Sequence, residues 1–343
     1  MKIFHVITLS TLGGAQSVVV NLANNQILNN EVYILFGGRG EAWGTLNPKI
    51  RLIKIPELKR NVNWLDLFVL FKLFFYYLIY LPDVVHLHSS KIGILGRVAF
   101  PSSKIIYTVH GFDSIRLKYR KYLFLERKLQ YKCKYIVSVS EYDLKNLYNE
   151  GIFNHVKCIY NGISNLSTST CDAQLNIDRN KYRRIVLCIA RMAPPKRSDL
   201  FLSVAKLLPE YAFVWIGNYD DVIDAPNNTF FLGNVLEAFR YNKLTDLFFL
   251  PSDFEGLPMT IIEAMSFGKP IVASNVGGIS EIVMNNQNGF VVDNCVQDFV
   301  EKIKYILEDE FVYQRLSGKS MEIYNKLLNA QKMCDEYVTL YKA

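Results

Sequence analysis

Short apolar runs that alternate with longer helix-like segments are the feature that most constrains the fold of this chain. The runs are rich in Val, Ile, Phe and Tyr, and they recur from Lys2 near the start to Val292 near the end. Such alternation is typical of βαβ units, which build parallel sheets covered by helices. The sequence therefore predicts an α/β fold made of doubly wound parallel sheets.

A polar stretch near the middle divides this pattern into two sets of predicted strands. Residues 164–184 are rich in Ser, Thr and Asn and lack apolar periodicity, which is typical of a linker. We predict a first domain over residues 1–165, a linker over 166–184 and a second domain over 185–325. A helix over 326–343 is predicted to return to the first domain. Because ligands bind beyond the carboxyl ends of parallel strands, the two domains are expected to face a shared cleft.

The composition is that of a globular protein, because half of the 343 residues are hydrophobic and only 21% are charged. These values exclude disordered, collagen-like and coiled-coil chains. The six cysteines are far apart, without a C-x-x-C pair or a nearby His that would complete a zinc site. They predict reduced thiols in a cytoplasmic protein. The short apolar start, which contains His5, is interpreted as a first strand and not as a signal peptide.

The formal charge of +7 is unevenly distributed along the chain. Residues 1–170 carry 21 Lys and Arg against 10 Asp and Glu, whereas the remaining residues carry 18 against 22. This asymmetry predicts that the first domain faces an anionic membrane surface or a polyanionic substrate. No basic run is interleaved with a motif that reads DNA or RNA, so no nucleic acid partner is predicted.

The densest cluster of polar and glycine residues follows the predicted strand Leu247 to Leu250. Glu255 lies in the strand-to-helix loop, and Glu263 lies in the helix, for which Pro258 suits the first position. Gly256 allows close approach of a ligand to the backbone, and the free N–H groups at the helix start favour an anion such as phosphate. A carboxylate in the loop can accept hydrogen bonds from sugar hydroxyls.

Glu255 and Glu263, with seven residues between them in P-S-D-F-E-G-L-P-M-T-I-I-E-A-M, resemble the E-x7-E signature of the family 4 retaining glycosyltransferases. The resemblance implies the GT-B fold, in which two doubly wound Rossmann-like domains face an inter-domain cleft. It extends over nearly the whole chain, because further motifs follow in the family's order. These are Gly13-Gly14-Ala15-Gln16, His110-Gly111, Asn161-Gly162-Ile163, Arg191 with Lys196, Gly217, and Gly277-Gly278.

The resemblance also implies a role for each matching residue in binding a nucleoside-diphosphate sugar. Glu263 would hold the ribose hydroxyls, and Glu255 would grip the hexose together with the backbone of two neighbours. Arg191 and Lys196 would clamp the diphosphate and neutralise the charge that develops as it leaves. The remaining implied contacts are donor N–H groups of Gly256, Leu257 and Gly14, a donor-binding position at Gly217, and His110 beside the transferred sugar.

Metal-dependent transferases use a D-x-D pair, which the sequence lacks, so neither a metal nor another cofactor is expected. No side chain stands out as a covalent nucleophile. The implied mechanism is therefore retention of configuration by attack from the leaving-group side. Simpler structural roles stay open for several of these residues. Glu263 could be a solvated residue on a helix face, and Arg191 and Lys196 could be ordinary surface charges. His110 could form a hydrogen bond to a neighbouring backbone group. His86 and His88 share one strand face and are interpreted as packing or supporting residues.

Two segments bear on contact with a membrane. Residues 64–81 are nearly all apolar, but they contain Asp66 and Lys72 and precede a strand, so we interpret them as a domain helix. Residues 116–134 carry eight basic residues and one acid, which predicts a helix that lies on anionic headgroups or, alternatively, a solvated basic face. The positions expected on this membrane or acceptor side are Arg116, Lys118, Arg120 and Lys121.

Together these features predict a metal-independent retaining glycosyltransferase on the cytoplasmic face of a membrane. We expect transfer of a hexosyl or N-acetylhexosaminyl group from a UDP-linked donor to a glycan or a lipid-linked glycan in surface polysaccharide or glycolipid assembly. Two alternatives stay open. A non-hydrolysing nucleotide-sugar epimerase shares the architecture, and a non-catalytic partner subunit shares the fold.

Overall fold

A computed structural model describes residues 1–166, 173–218 and 222–343, which form two compact units. The first unit comprises residues 1–164 and 330–343, and the second comprises residues 165–329. Part of the predicted linker, residues 167–172, lies outside the described residues. The chain returns to the first unit at Ala330, a few residues later than the predicted position 326.

The first unit contains a fully parallel sheet of seven strands. These are β1 (Lys2–Ile7), β2 (Glu31–Phe36), β3 (Arg51–Lys54), β4 (Val84–His88), β5 (Ile105–Val109), β6 (Tyr135–Ser138) and β7 (Val156–Cys158). Their spatial order is β3-β2-β1-β4-β5-β6-β7. The helices connecting them are α1 (Gly14–Gln26), α2 (Asp66–Tyr80), α3 (Ser90–Ala99), α4 (Leu123–Leu129) and α5 (Glu141–Asn149). The central strands are almost fully buried, as expected for apolar strands covered by helices on both faces.

The second unit has a parallel sheet of six strands. They are β8 (Ile185–Ile189), β9 (Ala212–Ile216), β10 (Thr229–Phe231), β11 (Leu247–Leu250), β12 (Ile271–Ser274) and β13 (Gly289–Val292). Their order is β10-β9-β8-β11-β12-β13. The α-helices of this unit are α6 (Ser198–Leu207), α7 (Met259–Ser266), α8 (Ile279–Ile282), α9 (Val296–Glu308) and α10 (Glu310–Leu327). Both units are therefore Rossmann-like, as the sequence predicts.

The last helix, α11 (Ala330–Lys342), packs against α1 of the first unit. Three of its side chains, Met333, Tyr337 and Tyr341, are buried there. The hydroxyl of Tyr341 lies 2.7 Å from Nδ1 of His86 on β4, so α11 also contributes to the hydrogen bonds beneath the sheet. This helix is consequently part of the first unit's core.

The prediction of one basic helix over residues 116–134 is wrong. The segment is broken into four short helical pieces of different geometry. The pieces are a π-helical turn at Ser114–Lys118, 3-10 turns at Arg120–Tyr122 and Gln130–Lys132, and α4 between them.

The apolar segment around α2 forms a domain helix between β3 and β4, but one side of it is open to solvent. Val69 and Leu73 are fully buried in the core, whereas the opposite side carries a row of exposed aromatic and aliphatic residues. The exposed residues are Trp64, Leu67, Phe68, Phe71, Phe74, Phe75, Leu78, Ile79 and Leu81. In the described ranges, no helix has both the length and the apolar character needed to cross a membrane.

Candidate active site

In the second unit, the strand order reverses between β8 and β11, where loops diverge at the carboxyl ends of the strands. Such a switch point is where open α/β sheets bind ligands. Lys196 follows β8, Glu255 follows β11, and the ammonium of Lys196 forms an ion pair with Oε1 of Glu255. The segments also pair through their backbones, because the N–H of Asp253 donates to the carbonyl of Pro195 at 2.9 Å. The structure therefore brings two predicted site residues together at the expected position.

Gly277 supports the Glu255 loop from the neighbouring strand. Its φ of 60° lies in the left-handed region, and a Cβ at this position would stand 1.8 Å from the carbonyl oxygen of Glu255. The N–H of Gly278 donates to the carbonyl of Gly256 at 2.9 Å. The glycine pair thus allows two backbones to touch and fixes the course of the loop that holds Glu255, Gly256 and Leu257.

Glu263 lies in the second turn of α7, which begins at Met259, so Pro258 immediately precedes the helix and does not form its first residue. Glu263 as a residue is half-buried, and the surrounding protein desolvates its carboxyl and raises its pKa to about 8. No basic side chain of the described residues forms an ion pair with it. A desolvated carboxyl without a cation is well suited to accept hydrogen bonds from neutral donors such as ribose hydroxyls.

Arg191 and Gly217 lie at the ends of the neighbouring strands β8 and β9. Gly217 has a φ of 112°, and a Cβ there would stand 2.5 Å from the carbonyl oxygen of Ala190, so glycine permits the close approach of the two loops. The Arg191 side chain is exposed and forms no ion pair within the described parts of the chain. Its guanidinium is therefore available to an anionic ligand at the same edge as Lys196.

In the first unit, the predicted residues Gly14 and His110 follow β1 and β5, whose carboxyl ends lie at one edge of the sheet. Gly14 is the first residue of α1, and the first N–H groups of a helix have no intrahelical acceptor. His110 is partly buried, and desolvation lowers its pKa to about 4, so its imidazole is neutral at neutral pH. This edge thus offers neutral hydrogen-bonding groups.

His110 is the end of a buried chain of hydrogen bonds that the sequence analysis did not predict. Oε1 of Gln26 lies 2.8 Å from Nε2 of His5, and Nδ1 of His5 lies 3.0 Å from Nε2 of His88. Nδ1 of His88 lies 3.1 Å from Nε2 of His110. The remaining ring nitrogen, Nδ1 of His110, is buried and has no hydrogen-bond partner among the described residues.

A second branch leaves the same glutamine and ends elsewhere. Nε2 of Gln26 donates to the hydroxyl of Tyr341 at 3.3 Å, which lies 2.7 Å from Nδ1 of His86. Nε2 of His86 lies 2.7 Å from the hydroxyl of Thr108. The rings of His5, His86 and His88 offer nitrogens within 4.8 Å of one another, but each of the six ring nitrogens already has a hydrogen-bond partner. Hydrogen bonds therefore account for this cluster.

His86 and His88 were expected to be packing or supporting residues. The sequence analysis did not predict their hydrogen-bonded connection to His5 and Gln26. The signal was present in the sequence, because His5 and His86 lie at facing positions of adjacent strands. It could be read only with the strand order, which brings β1, β4 and β5 side by side. Gln26 offered no pattern of its own.

Carboxylates already hold two of the four basic residues predicted on the membrane side. The guanidinium of Arg116 donates to Asp113 at 2.7 Å and is mostly shielded, and Arg120 reaches Glu150 at 3.3 Å. These contacts weaken the prediction that all four cations face lipid. The members without a carboxylate partner in the described ranges are Lys118 and Lys121.

Comparisons with known proteins agree with two Rossmann-like sheets of this kind. A family model described as Glycosyltransferase Family 4 matches residues 12–165, and one described as Glycosyl transferases group 1 matches residues 174–322. Among solved structures, Anabaena Alr3699/HepE in complex with UDP and glucose superposes with a TM-score of 0.84 at 17% identity and covers 100% of both chains. The two family models therefore define the class of protein as a glycosyltransferase.

Relatives of known name extend over nearly the whole chain. An Escherichia coli protein named UDP-Gal:alpha-D-GlcNAc-diphosphoundecaprenol alpha-1,3-galactosyltransferase is 26% identical, across 99% of this chain and 97% of the relative. The O-antigen biosynthesis glycosyltransferase WbnH of Escherichia coli is 29% identical, across 92% and 94%. The chain belongs to family 4 of the glycosyltransferases and has the GT-B fold. The family and fold predicted from the sequence are thereby confirmed.

Proposed function

We propose that this protein transfers a hexosyl or N-acetylhexosaminyl group from a UDP-linked sugar to a lipid-linked glycan in surface polysaccharide biosynthesis. The observation that carries the proposal is the Lys196–Glu255 ion pair at the switch point, with Arg191, which forms no ion pair with a described residue, at the same sheet edge. The named relatives support the donor and acceptor classes, because one uses UDP-Gal with a diphosphoundecaprenol acceptor and another serves O-antigen biosynthesis.

The proposed reaction uses charge that the second unit already supplies. Arg191 and Lys196 would bind the diphosphate, Glu263 the ribose hydroxyls, and Glu255 the sugar hydroxyls. When the bond between the anomeric carbon and the phosphate breaks, negative charge grows on the departing UDP. The two fixed cations therefore stabilise the transition state more than the ground state. Lys196 would then exchange part of its contact with Glu255 for phosphate oxygens.

No metal is needed in this scheme, because the two cations and the backbone N–H groups of Gly256 and Leu257 supply the positive charge. The acceptor hydroxyl would attack from the face that the diphosphate leaves, and a phosphate oxygen would take its proton. The anomeric configuration would consequently be retained. The roles implied for Gly14 and His110 of the first unit, a donor N–H and a position beside the transferred sugar, stay predictions.

The test of the donor class is a thermal-shift screen of UDP-, GDP- and ADP-sugars, followed by product analysis with the best ligand. We expect a UDP-sugar to raise the melting temperature most, because a ligand that binds only the folded state stabilises it by mass action. NMR spectra should show slow release of the sugar, with the original anomeric configuration in transfer products and no loss of rate in EDTA. Appearance of an epimerised nucleotide sugar, an inverted product or loss of activity in EDTA would contradict the proposal.

We further propose that the protein binds the cytoplasmic face of an anionic membrane through the exposed side of α2. This side is rich in Phe and lies beside cations, since Lys59 and Arg60 are exposed and form no ion pair in the described residues. Lys91 ties the backbone of this segment to the start of the helix, because its ammonium donates to the carbonyl of Lys59 at 2.9 Å and forms an ion pair with Asp66 at 2.6 Å. Aromatic residues beside cations suit the headgroup region of a bilayer.

The matched test compares two equally exposed phenylalanines. Phe71 on α2 is 74% exposed, and Phe311 on α10 of the second unit is 77% exposed. We expect Phe71→Gln with Phe75→Gln to weaken sedimentation with phosphatidylglycerol vesicles by about 10-fold or more, because each inserted ring contributes on the order of 1 kcal/mol or more. Phe311→Gln should leave it unchanged. Equal loss in both variants, or a concentration-dependent dimer that masks Phe71, would contradict membrane contact through α2.

The basic residues give a smaller contribution in this scheme. Lys118→Ser with Lys121→Ser should weaken vesicle binding by less than the α2 variant, and the loss should disappear at high salt because exposed charges are screened. Arg116 and Arg120 are held by carboxylates and should contribute least. A variant of all four that abolishes sedimentation, while the α2 variant retains it, would restore the basic segment as the main surface.

A further inference from the structure

We propose that Gln26, His5 and His88 are positioning residues that fix the tautomer of His110 and leave its Nδ1 as a bare acceptor for a substrate hydroxyl. The inference rests on the proposed function, because it assumes that the edge around His110 meets a sugar. It goes beyond that function because it assigns a positioning role to Gln26, His5 and His88, which are buried behind His110.

The direction of the chain follows from the glutamine at its start. Oε1 of Gln26 can only accept, so Nε2 of His5 must carry the proton of this hydrogen bond. A neutral imidazole has one N–H, which leaves Nδ1 of His5 to accept from Nε2–H of His88. Nδ1 of His88 must then accept from Nε2–H of His110. The tautomer of each imidazole is thereby determined by the residue before it in the series.

This series of hydrogen bonds requires neutral imidazoles at His5, His88 and His110, and burial keeps all three neutral. His5 and His88 are fully buried in the sheet. Desolvation lowers the pKa of His5 and His110 to about 4 and that of His88 well below its usual value. The groups that act on His88 are the other histidines, and each lowers its pKa further. A proton added to one of these imidazoles would therefore have no carboxylate of the described residues beside it to compensate its charge.

The amide of Gln26 anchors its own orientation through the second branch. Its Nε2 donates to Tyr341, whose hydroxyl can then donate to Nδ1 of His86. Turning the amide over would require both branches to exchange every proton at once. With the amide in place, Nδ1 of His110 is the one ring nitrogen of the chain without a partner in the described residues, and it lies buried at the sheet edge that offers Gly14. A hydroxyl that donates to it would complete the series.

The direct test is NMR of the protein labelled with ¹⁵N-histidine. The chain has five histidines, so each ring can be assigned, and two-bond proton couplings distinguish a protonated from a bare ring nitrogen. In the ligand-free wild type at neutral pH, His5, His88 and His110 should all carry their proton on Nε2. A proton on Nδ1 of His110 would overturn the inference, and this readout needs neither activity nor a variant.

Gln26 provides a matched pair of variants at three hydrogen bonds from His110. Gln26→Met keeps the size but removes the acceptor, whereas Gln26→Glu keeps an acceptor at the same position. We expect Gln26→Met to mix the tautomers of His110 and to lower kcat by about 10-fold, with KM for the nucleotide sugar nearly unchanged. Because its carboxylate would compensate a proton on His5 and reverse the hydrogen bonds that follow, Gln26→Glu should move the proton of His110 to Nδ1 and also lower kcat.

Outcomes for the inference and for the proposed function are separable. If both Gln26 variants lose activity equally and the tautomer of His110 stays fixed, the glutamine has only a structural role and the inference fails. If the wild type neither hydrolyses nor transfers any nucleotide sugar, the proposed function fails, while the ¹⁵N spectrum still decides the tautomers. His86→Leu, on the branch that does not reach His110, should leave the ¹⁵N signature of His110 unchanged.

Discussion

The two units of the protein treat charge in opposite ways at corresponding places in their sheets. In the second unit, an ion pair between Lys196 and Glu255 joins the loops after β8 and β11, and Arg191 at the same edge has no carboxylate partner in the described part of the chain. In the first unit, the strands β1 and β4 meet at the equivalent switch point and carry His5 and His88, which are buried and neutral.

The difference suggests a division of work between two similar folds. A leaving diphosphate gains negative charge, and fixed cations stabilise it in place. An incoming hydroxyl has to be oriented without a competing charge, for which a neutral acceptor of fixed tautomer is suited. The same topology therefore supports an electrostatic site in one unit and a hydrogen-bonding site in the other, and side chains at the strand ends make the difference.

Removal of the ammonium of Lys196 should have the largest effect on activity. We expect Lys196→Ala to lower kcat with a UDP-sugar by about 100- to 1,000-fold, as for loss of a group that stabilises transition-state charge. Combined with Glu255→Gln, the loss should be less than additive because the two residues form one pair.

Arg197 provides the control for this prediction. It lies beside Lys196 and reaches the same loop through Asp253, at 3.1 Å, so it shares the structural surroundings. Arg197→Ala should lower kcat by less than about threefold, as expected for an exposed ion pair. Equal losses in the Lys196 and Arg197 variants would indicate a role in holding the loop and would remove the electrostatic contrast.

A methyl group at Gly277 should damage the second unit specifically. Gly277→Ala places a Cβ 1.8 Å from the Glu255 carbonyl at a positive φ, and we expect a loss of about 2–4 kcal/mol in the free energy of unfolding. Gly318→Ala is the control, because no atom lies within 4 Å of its Cβ inside α10, and a gain of up to about 1 kcal/mol is expected. Urea titrations measure both, and a neutral Gly277→Ala would contradict the close contact.

The pH dependence of stability should have opposite sign in the two units. In the first unit the pKa of His5 is lowered to about 4 from its ordinary 6.5, so the unfolded state binds the extra proton between these values. Stability should be complete above pH 6.5 and fall as the pH decreases to 4, by about 3 kcal/mol for His5. Hydrogen exchange of the β1 and β4 amides measures this loss of stability. Protection that stays constant down to pH 4 would contradict the claim that the buried histidines are neutral.

In the second unit the folded pKa of Glu263 is about 8, above its ordinary 4.5, so the folded state binds the extra proton. Stability should therefore decrease as the pH rises from 4.5 to 8. At pH 8, Glu263→Gln should raise the melting temperature of the ligand-free protein by a few degrees and weaken UDP binding. At pH 5 the melting temperatures of the two proteins should agree. A lower melting temperature for the variant at pH 8 would indicate that the carboxylate is stabilised by the fold.

Much of the fold could be predicted from the sequence because its strands are short, apolar and separated by helix-like segments. The E-x7-E motif placed Glu255 and Glu263 on the loop and helix after β11, since both lie close together in the chain. The start of α7 was predicted one residue early, because the fixed φ of Pro258 suits either the cap or the first turn.

The incorrect and missing parts depend on contacts between distant residues. Charge spacing suggested a basic helix over residues 116–134, but Asp113 and Glu150 draw its three arginines back to the protein. The aromatic excess of residues 64–81 indicated that one side of α2 could be left for lipid, but the sequence did not show which residues form that side, because an apolar helix has no polar face to mark it. The histidine chain requires the order of β1, β4 and β5, which no local pattern contains.

A crystal structure with a bound UDP-sugar tests most directly whether the second unit holds the donor by charge. We expect the diphosphate within hydrogen-bonding distance of Arg191 and Lys196, and the ribose hydroxyls on Glu263. A diphosphate bound away from both cations, with the Lys196–Glu255 pair unchanged, would contradict the proposed site.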